Sequence, residues 1–468
     1  MKHLILGIIL FVSGFAKAQE NTSVITLEEY LGYVKAYHPI VKQANLVISE
    51  SEAKLLKARG AFDPKIEVDY NQKTFKNTDY YDKLNATFKI PTWFGIEFKG
   101  SFEDNSGAYL NPEATVPTDG LYSAGVSIPV ARGLLTNKRM AMLRQSKLYV
   151  NQARADRQLL VNQILYDATL VYFNWLKAYN EKLVYEAFLN NAEIRFNGIK
   201  QSYEMGDKPA IDTIEARITL NTRKLNLEKS RIKFIKSSLE LSNYLWLNNN
   251  TPVEIKEGIV PDTNTYITID TTLNTSDLDI ETFDIENHPK LKSLDYKFKS
   301  LTIEKRLQRN NLLPQIDLQY NFLSQTPDIA RSFNTSTYKS GVNINIPLFL
   351  RKERGDLKLA NIKLQNTEFE IQNTKISLEN KIDAINQELN SYALQNDYTN
   401  TIIEDYGKML TAEERKFFLG ESSLFLVNSR ESKLIDAKLK AIELENSFFN
   451  TKASLFNVLA SFDIEAAE

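Results

Sequence analysis

The sequence predicts a mainly helical chain with two groups of β-strands, in which one helix–strand–strand–helix unit occurs twice. Three observations predict it: long proline-free stretches with helix-period apolar spacing, short segments alternating polar and apolar residues, and self-similarity at a shift of 250 positions. Composition narrows the function classes first. The 468 residues hold 57 basic and 59 acidic side chains, three histidines and no cysteine. Near-neutral charge leaves no basic footprint for nucleic acid. The missing cysteine excludes thiol nucleophiles, thiolate zinc sites, iron–sulfur clusters, disulfides and a lipid anchor on an N-terminal cysteine.

At the N-terminus, Lys2 precedes an apolar run from Leu4 to Val12 that ends in Ala16-Lys17-Ala18. This is the pattern of a cleaved secretory signal, residues 1–18. An uncleaved anchor is the alternative, but the run falls short of the ~20 apolar residues of a spanning helix. Export without cysteine fits a bacterial periplasm or outer membrane, because a chain of this size buries a core without disulfides. Thr26 to Glu29 then has the form of a capping box that opens a helix.

The long helices follow from proline placement. No proline occurs between Pro129 and Pro209, nor after Pro347. Within these stretches Val161, Ile164, Ala168, Val171, Trp175 and Ala178 form a heptad-like seam, as do Leu434, Ala437, Ala441, Leu444 and Phe448. A helix over 137–203 would span about 100 Å at 1.5 Å per residue. The mixed-charge faces opposite these seams are expected to be solvated. Two glycines break the long stretches, Gly206 in Met205-Gly206-Asp207 and Gly420 in Leu419-Gly420-Glu421. Each is expected to turn a helical hairpin, since glycine accepts the left-handed cap conformation. Asp207 would cap the next helix with Pro209 in its first turn, and Ser422 or Ser423 would do so after Gly420.

Strand periodicity appears over 65–71, 123–129, 315–321 and 339–347. Ile66, Val68, Tyr70, Val126, Ile128, Ile316, Leu318, Tyr320, Ile344 and Ile346 are the apolar positions of these segments, the candidates to face lipid if the strands span a membrane. A half-buried sheet of a soluble domain would show the same alternation. The first copy is longer between its outer strands, Asn77–Pro129 against Pro327–Pro347. The excess holds two more alternating runs flanking Pro91-Thr92-Trp93, an extra barrel hairpin or an external one. Residues 105–120 are expected to form an exposed loop.

The repeat ties these parts together. A shift of 250 lays His38-Pro39 on His288-Pro289, Arg59 on Arg309, Pro64 on Pro314 and Tyr70-Asn71 on Tyr320-Asn321; Ile128-Pro129 answers Ile346-Pro347, and Gly206 answers Gly420. The unit is duplicated. The expected organisation is a signal peptide (1–18), a first repeat with its tip at 206 (19–247), a connector (248–280), a second repeat with its tip at 420 (281–460) and a tail (461–468).

These residues resemble the TolC family of outer-membrane efflux proteins over essentially the whole mature chain. The resemblance rests on the His-Pro opening of each repeat, the Pro-x-Ile-x-(Val/Leu)-x-Tyr motifs at Pro64 and Pro314, the Ile-Pro strand ends and the glycine tips. It implies a homotrimer whose strands share an outer-membrane β-barrel, continued by a long periplasmic coiled-coil α-barrel. Such a conduit reaches from periplasm to exterior in a Gram-negative bacterium and needs no cofactor. It is driven by an inner-membrane pump of the RND or ABC kind through a periplasmic adaptor. By resemblance, Met205, Gly206, Asp207, Leu419, Gly420 and Glu421 are the adaptor-contact candidates.

The gate positions that the resemblance points to are Asp212, Phe417, Ser422, Leu426 and Ser429. Only Asp212 keeps the family's residue type. Phe417, Ser422, Leu426 and Ser429 stand where a Tyr, an Arg and two Asp are expected, so an apolar constriction around Phe417 and Leu426 replaces a polar latch as the expectation. Enzyme signatures are missing: there is no HExxH and no P-loop. His38 and His288 each precede proline at a helix start, which suits a cap, and Glu28-Glu29 and Glu413-Glu414 suit helix-surface charges. The rival reading from another class is a periplasmic coiled-coil scaffold or adaptor without a pore.

Overall fold

The computed structural model describes residues 23–256, 258–275, 283–328, 331–332 and 334–460. The expected signal peptide, the tail beyond 460, the connector's residues 257 and 276–280 and the first two residues of the second repeat, 281–282, lie outside them. The chain opens with β1 (Ser23–Ile25), α1 (Leu27–Tyr37) and α2 (Pro39–Arg59), followed by β2 (Lys65–Phe75), β3 (Thr78–Pro91), β4 (Glu97–Ser106) and β5 (Leu121–Pro129). Two long helices come next, α3 (Lys138–Glu204) and α4 (Ala210–Ser242). The short strands β6 (Trp246–Leu247), β7 (Thr251–Pro252) and β8 (Ile259–Pro261) and helix α5 (Thr265–Thr272) lead into the second copy. That copy runs α6 (Pro289–Asn310), β9 (Gln315–Ser324), β10 (Tyr338–Asn345), α7 (Arg351–Phe418) and α8 (Leu424–Leu459).

The order helix, strands, long helix, glycine turn and return helix therefore occurs twice, with α2 answering α6 and α3 answering α7. The connector holds more order than its Asn- and Thr-rich composition suggests. Its β8 pairs in parallel with β1, from Ser23 opposite Ile259 to Ile25 opposite Pro261, and α5 follows at once.

Two compact units divide the chain. Of the described residues, one comprises 23–38, 165–256, 258–275 and 388–454, and the other 39–164, 283–328, 331–332, 334–387 and 455–460. In the first unit, fully buried Tyr30, Tyr172, Phe173, Trp175 and Phe449 form an aromatic centre that includes one member of the expected α3 seam, Trp175. The Tyr172 hydroxyl donates to the Ile25 carbonyl at 2.9 Å and accepts from the Asp262 N–H at 3.2 Å, tying β1 and the connector to α3. Burial pushes its pKa up to about 12. Trp175 donates to Ser238 Oγ at 2.8 Å and stacks on Phe234, which holds α3 to α4. Thr26 accepts from the Glu29 N–H at 3.2 Å, the N-terminal half of the expected capping box.

The second unit holds the sheet. Its strand order is β10-β9-β5-β4-β3-β2, antiparallel throughout. The excess residues of the first copy thus enter the sheet as β3 and β4, between β2 and β5. A tight turn at Lys76 and Asn77, both with positive φ, joins β2 to β3. β10 ends at Asn345, so Ile346 lies just beyond the strand that was expected to reach Pro347.

Both repeat-opening histidines are structural. His288 accepts the Lys290 N–H on Nδ1 at 3.1 Å, capping α6, and its Nε2 meets the Val458 carbonyl at 2.9 Å. His38 closes α1 and stacks on Tyr244.

Candidate channel wall and helical tips

The register decides which side chains share a face of the sheet. Ile66 lies opposite Phe88, Phe88 opposite Gly100, Gly100 opposite Ala124, Ala124 opposite Phe322 and Phe322 opposite Tyr338. Because strand side chains alternate, everything two residues away along each strand joins the same face. Val68, Tyr70, Leu84, Ile90, Phe98, Val126, Ile128, Ile316, Leu318, Tyr320, Val342 and Ile344 therefore form one apolar face across all six strands. All the lipid-facing candidates within strands fall on it. Many of these side chains are exposed, Ile66 to 75% and Val342 to 63%, an apolar surface larger than a water-facing sheet normally leaves uncovered.

The opposite face carries Glu67, Asp69, Lys83, Asn85, Thr87, Lys89, Lys99, Ser101, Glu103, Ser123, Asp317, Gln319, Asn321, Lys339 and Asn343. It is laced by the Lys89–Glu67 pair and a Ser101–Ser123 hydrogen bond of 2.7 Å. Its curvature follows from one contact. Lys339 on β10 and Glu103 on β4 are three inter-strand steps apart, about 14 Å, and are offset along the strands as well. Yet their charged ends approach to 3.9 Å. Only a polar face on the inside of the curl allows that.

At the far ends of the hairpins, Gly206 has φ 88° and Gly420 φ 78°. Each donates its N–H back into the helix it ends, to the Tyr203 and Phe417 carbonyls at 2.9 and 3.1 Å. The caps differ in part from expectation. Pro209 itself is the N-cap of α4 and provides no side-chain bond, while the Asp207 N–H donates to the Ser202 carbonyl and so finishes α3. In the second tip Ser423 caps α8, accepting from the Leu426 N–H at 3.4 Å. The Ser422 hydroxyl instead donates to Glu413, which is thereby a tucked tip contact rather than a free surface charge.

The two tips touch. Lys208 sits over the Phe417 ring at 4.6 Å, and Phe417 packs against buried Ile199, Ala216 and Leu424. The gate candidates are thus split. Phe417 belongs to the packing between helices and Asp212 and Ser422 are half-buried, whereas Leu426 and Ser429 are on the surface. Met205 and Leu419 are both exposed, and two residues that sequence reasoning missed exceed or match them: Phe418 at 90% and Phe425 at 67%. The apolar run Phe417-Phe418-Leu419 ahead of the tip glycine was the available signal for Phe418.

Behind the tips lies a charge network where solvated faces were expected. Glu431 on α8 is fully buried; its carboxylate accepts from Arg195 of α3 at 2.9 Å and from Arg223 of α4 at 3.2 Å. Arg195 also reaches Glu414 of α7 at 3.0 Å, and Arg223 donates to Ser432 Oγ at 3.1 Å. Four helices are joined by two guanidinium groups. Their partners are more than 200 positions away in sequence, and only lining up the two hairpins at their tips would have hinted at the meeting.

Among the described residues no helix is long and apolar enough to cross a membrane, and no group of three or more His, Asp or Glu could hold a metal ion.

Comparison with known proteins agrees with this geometry. Residues 285–461 match the family described as outer membrane efflux protein. No curated protein matches the chain in sequence. The fold is similar to that of CusC (TM-score 0.66, 13% identity, covering 96% of this chain and 95% of that one). It is also similar to the CmeC outer membrane channel of Campylobacter jejuni (0.65, 15%, 99% and 96%) and to the outer membrane protein VceC of Vibrio cholerae (0.65, 11%, 93% and 96%). The matching family and these neighbours are transport proteins, not enzymes. The chain therefore has the TolC-type channel fold along its length and carries the sequence signature of the outer membrane efflux protein family over residues 285–461.

Proposed function

We propose that the chain is the outer-membrane subunit of a tripartite export system, a passive homotrimeric conduit driven by an inner-membrane RND or ABC pump through a periplasmic adaptor. The observation that carries this reading is the sheet, apolar on its outer face and polar inside the curl, in one register across all six strands up to the shift between Lys73 and Thr74. Water-soluble sheets hide an apolar face of this extent against another layer; a lipid-facing barrel wall displays it. Two free edges remain in each chain, at β2 and β10, and an edge in lipid leaves unpaired backbone groups, so copies must share one barrel.

Transport itself needs no bond chemistry from this subunit. The polar, mixed-charge inner face offers water and cargo a wetted path. The tips close that path at the periplasmic end, and adaptor contact falls to Met205, Gly206, Asp207, Leu419, Gly420 and Glu421, joined by Phe418. Gating falls to Leu426 and Ser429 on the surface, with Asp212, Phe417 and Ser422 setting the position of the tip beneath them. Glycine at 206 and 420 serves the turn in any case. The helices lie in the periplasm and the sheet in the outer membrane.

Reconstitution tests the proposal: the mature protein, purified in detergent, is fused into planar bilayers and imaged by electron microscopy. Three-fold particles and discrete conductance steps that grow on Leu426→Asp would support it. A soluble monomer without conductance would return the chain to the scaffold reading.

A further inference from the structure

Resting on that homotrimeric reading, we propose that β10 of one copy pairs antiparallel with β2 of the next, so that three copies close a barrel of eighteen strands. A four-stranded chain would give twelve. The hairpin β3–β4 makes the difference, and the register shows that it is part of the wall. Ten consecutive residue pairs join β3 to β4, from Asp82–Ser106 to Pro91–Glu97, and seven join β4 to β5. β2 meets the rest of the sheet through β3 alone. Detaching the hairpin would leave β2 without a neighbour and strip the apolar face of Leu84, Phe88, Ile90, Phe98 and Phe102.

The stagger of the strands is that of a closed barrel. The perpendicular row that starts at Ile66, one residue above the helix-side end of β2, finishes at Tyr338, seven residues above the helix-side end of β10. With those ends level, the row climbs six residues over five strands, about 20 Å over about 24 Å, a tilt of about 40°. Membrane barrels tilt their strands by ~35–45°. An even number of strands per chain makes every contact around the ring antiparallel, the closing one included. Continuing the same climb sets Asn343 opposite Glu67 or Asp69 of the next copy, and the apolar positions Val342 and Ile344 stay in phase with Ile66, Val68 and Tyr70. Eighteen strands at this tilt give a backbone diameter of about 36 Å, against about 24 Å for twelve. The outer-membrane segment is then a wide vestibule lined by short polar and charged side chains.

Cysteine cross-linking tests the contact, and the cysteine-free sequence makes it clean. Full-length Asn343→Cys/Glu67→Cys and Asn343→Cys/Asp69→Cys variants are oxidised in native membranes and run on denaturing gels, and wild-type particles are imaged for strand count. A covalent trimer from one of the two pairs, with eighteen strands, is the expected result. A three-fold channel with twelve strands, or efficient cross-linking of Asp69→Cys to Ser127→Cys, overturns this inference and leaves the conduit standing. Absence of any oligomer overturns both. Should a double variant fail to insert, the wild-type strand count alone decides.

Discussion

Replacing Glu431 by Gln tests whether the helical hairpins are held together behind their tips by one buried carboxylate. The change keeps shape and removes the charge. Arg195 retains Glu414 at 3.0 Å and Asn428 at 3.3 Å, and the Glu414 carboxylate is half in water. Arg223, only 8% exposed, retains a serine hydroxyl and at most the neutral oxygen of the introduced amide, for which Arg195 competes, and its Nε is already without a partner. An uncompensated buried cation of this kind costs about 3–5 kcal/mol. If the loss is felt locally, opening of α3, α4 and α8 around residues 195, 223 and 431 becomes about 100- to 4,000-fold more frequent, a factor of ten for each ~1.4 kcal/mol. Hydrogen exchange read by mass spectrometry on peptides from 190–200, 218–230 and 424–440 measures that directly, with the exposed Glu404→Gln as control. Exchange within three-fold of wild type in those peptides would refute the idea that this network carries the clamp. An Arg223→Met/Glu431→Leu double variant should recover much of the loss, since a well-packed apolar pair removes the stranded charge.

Other perturbations separate the two faces of the sheet, the tips and the repeat openings. Val126→Arg should lower barrel insertion sharply, by about 2–4 kcal/mol on a lipid face, whereas Ser127→Arg should insert normally; equal insertion, read by heat-modifiable gel mobility, would contradict the face assignment. Gly125→Ala places a Cβ on the Tyr320 carbonyl oxygen and 2.6 Å from Asn321 Cα, so the β5–β9 seam should fail and folded protein in the membrane fraction should fall several-fold. Phe418→Asp should leave assembly intact while abolishing pump-dependent export in a complementation assay, because its side chain makes almost no contact within the chain. Burial lowers the His288 pKa, and the geometry calls for a neutral ring that donates from Nε2 and accepts on Nδ1. With the folded value below the unfolded one, this stabilisation is complete above about pH 6.5 and fades as pH falls through the folded value. His288→Gln should flatten that part of a thermal-melt profile between pH 7 and 5.

What could be read from sequence, and what could not, divides along the range of the interactions. The long helices were legible because their signals are local: no proline between 129 and 209, and a heptad seam whose members all prove buried, Ala168 and Trp175 completely, except the half-buried Val171. The four outer strands and the glycine turns were legible for the same reason. Cap details were not. Asp207 and Pro209 each suit a helix start in isolation, and the choice falls to how the chain leaves Gly206, where the Asp207 N–H is taken by Ser202. Whether Leu84 to Ile90 and Phe94 to Phe102 belonged to the wall was open, because alternation fixes a strand's two faces but not its neighbour. The network around Glu431 was invisible, since a charged residue on a long helix looks solvated until the opposing helix is known.

That last contrast bears on how such a chain does its work. The apolar seams that build the helices repeat every three or four residues and would tolerate a slip of one heptad, since each knob would meet an equivalent hole. A buried carboxylate between two guanidinium groups does not tolerate it, because a slip would strand all three charges. Glu431, Arg195 and Arg223 thereby fix the register of α3 and α4 against α8 near the tips. The apolar cluster of Ile199, Ala216, Leu424 and Phe417 seats the two turns beside each other. A hairpin held in one register presents Phe418, Leu419 and Met205 at fixed positions, which the proposed adaptor contact requires. The same register concentrates the resistance to sliding in a few polar contacts, the two guanidinium groups on Glu431.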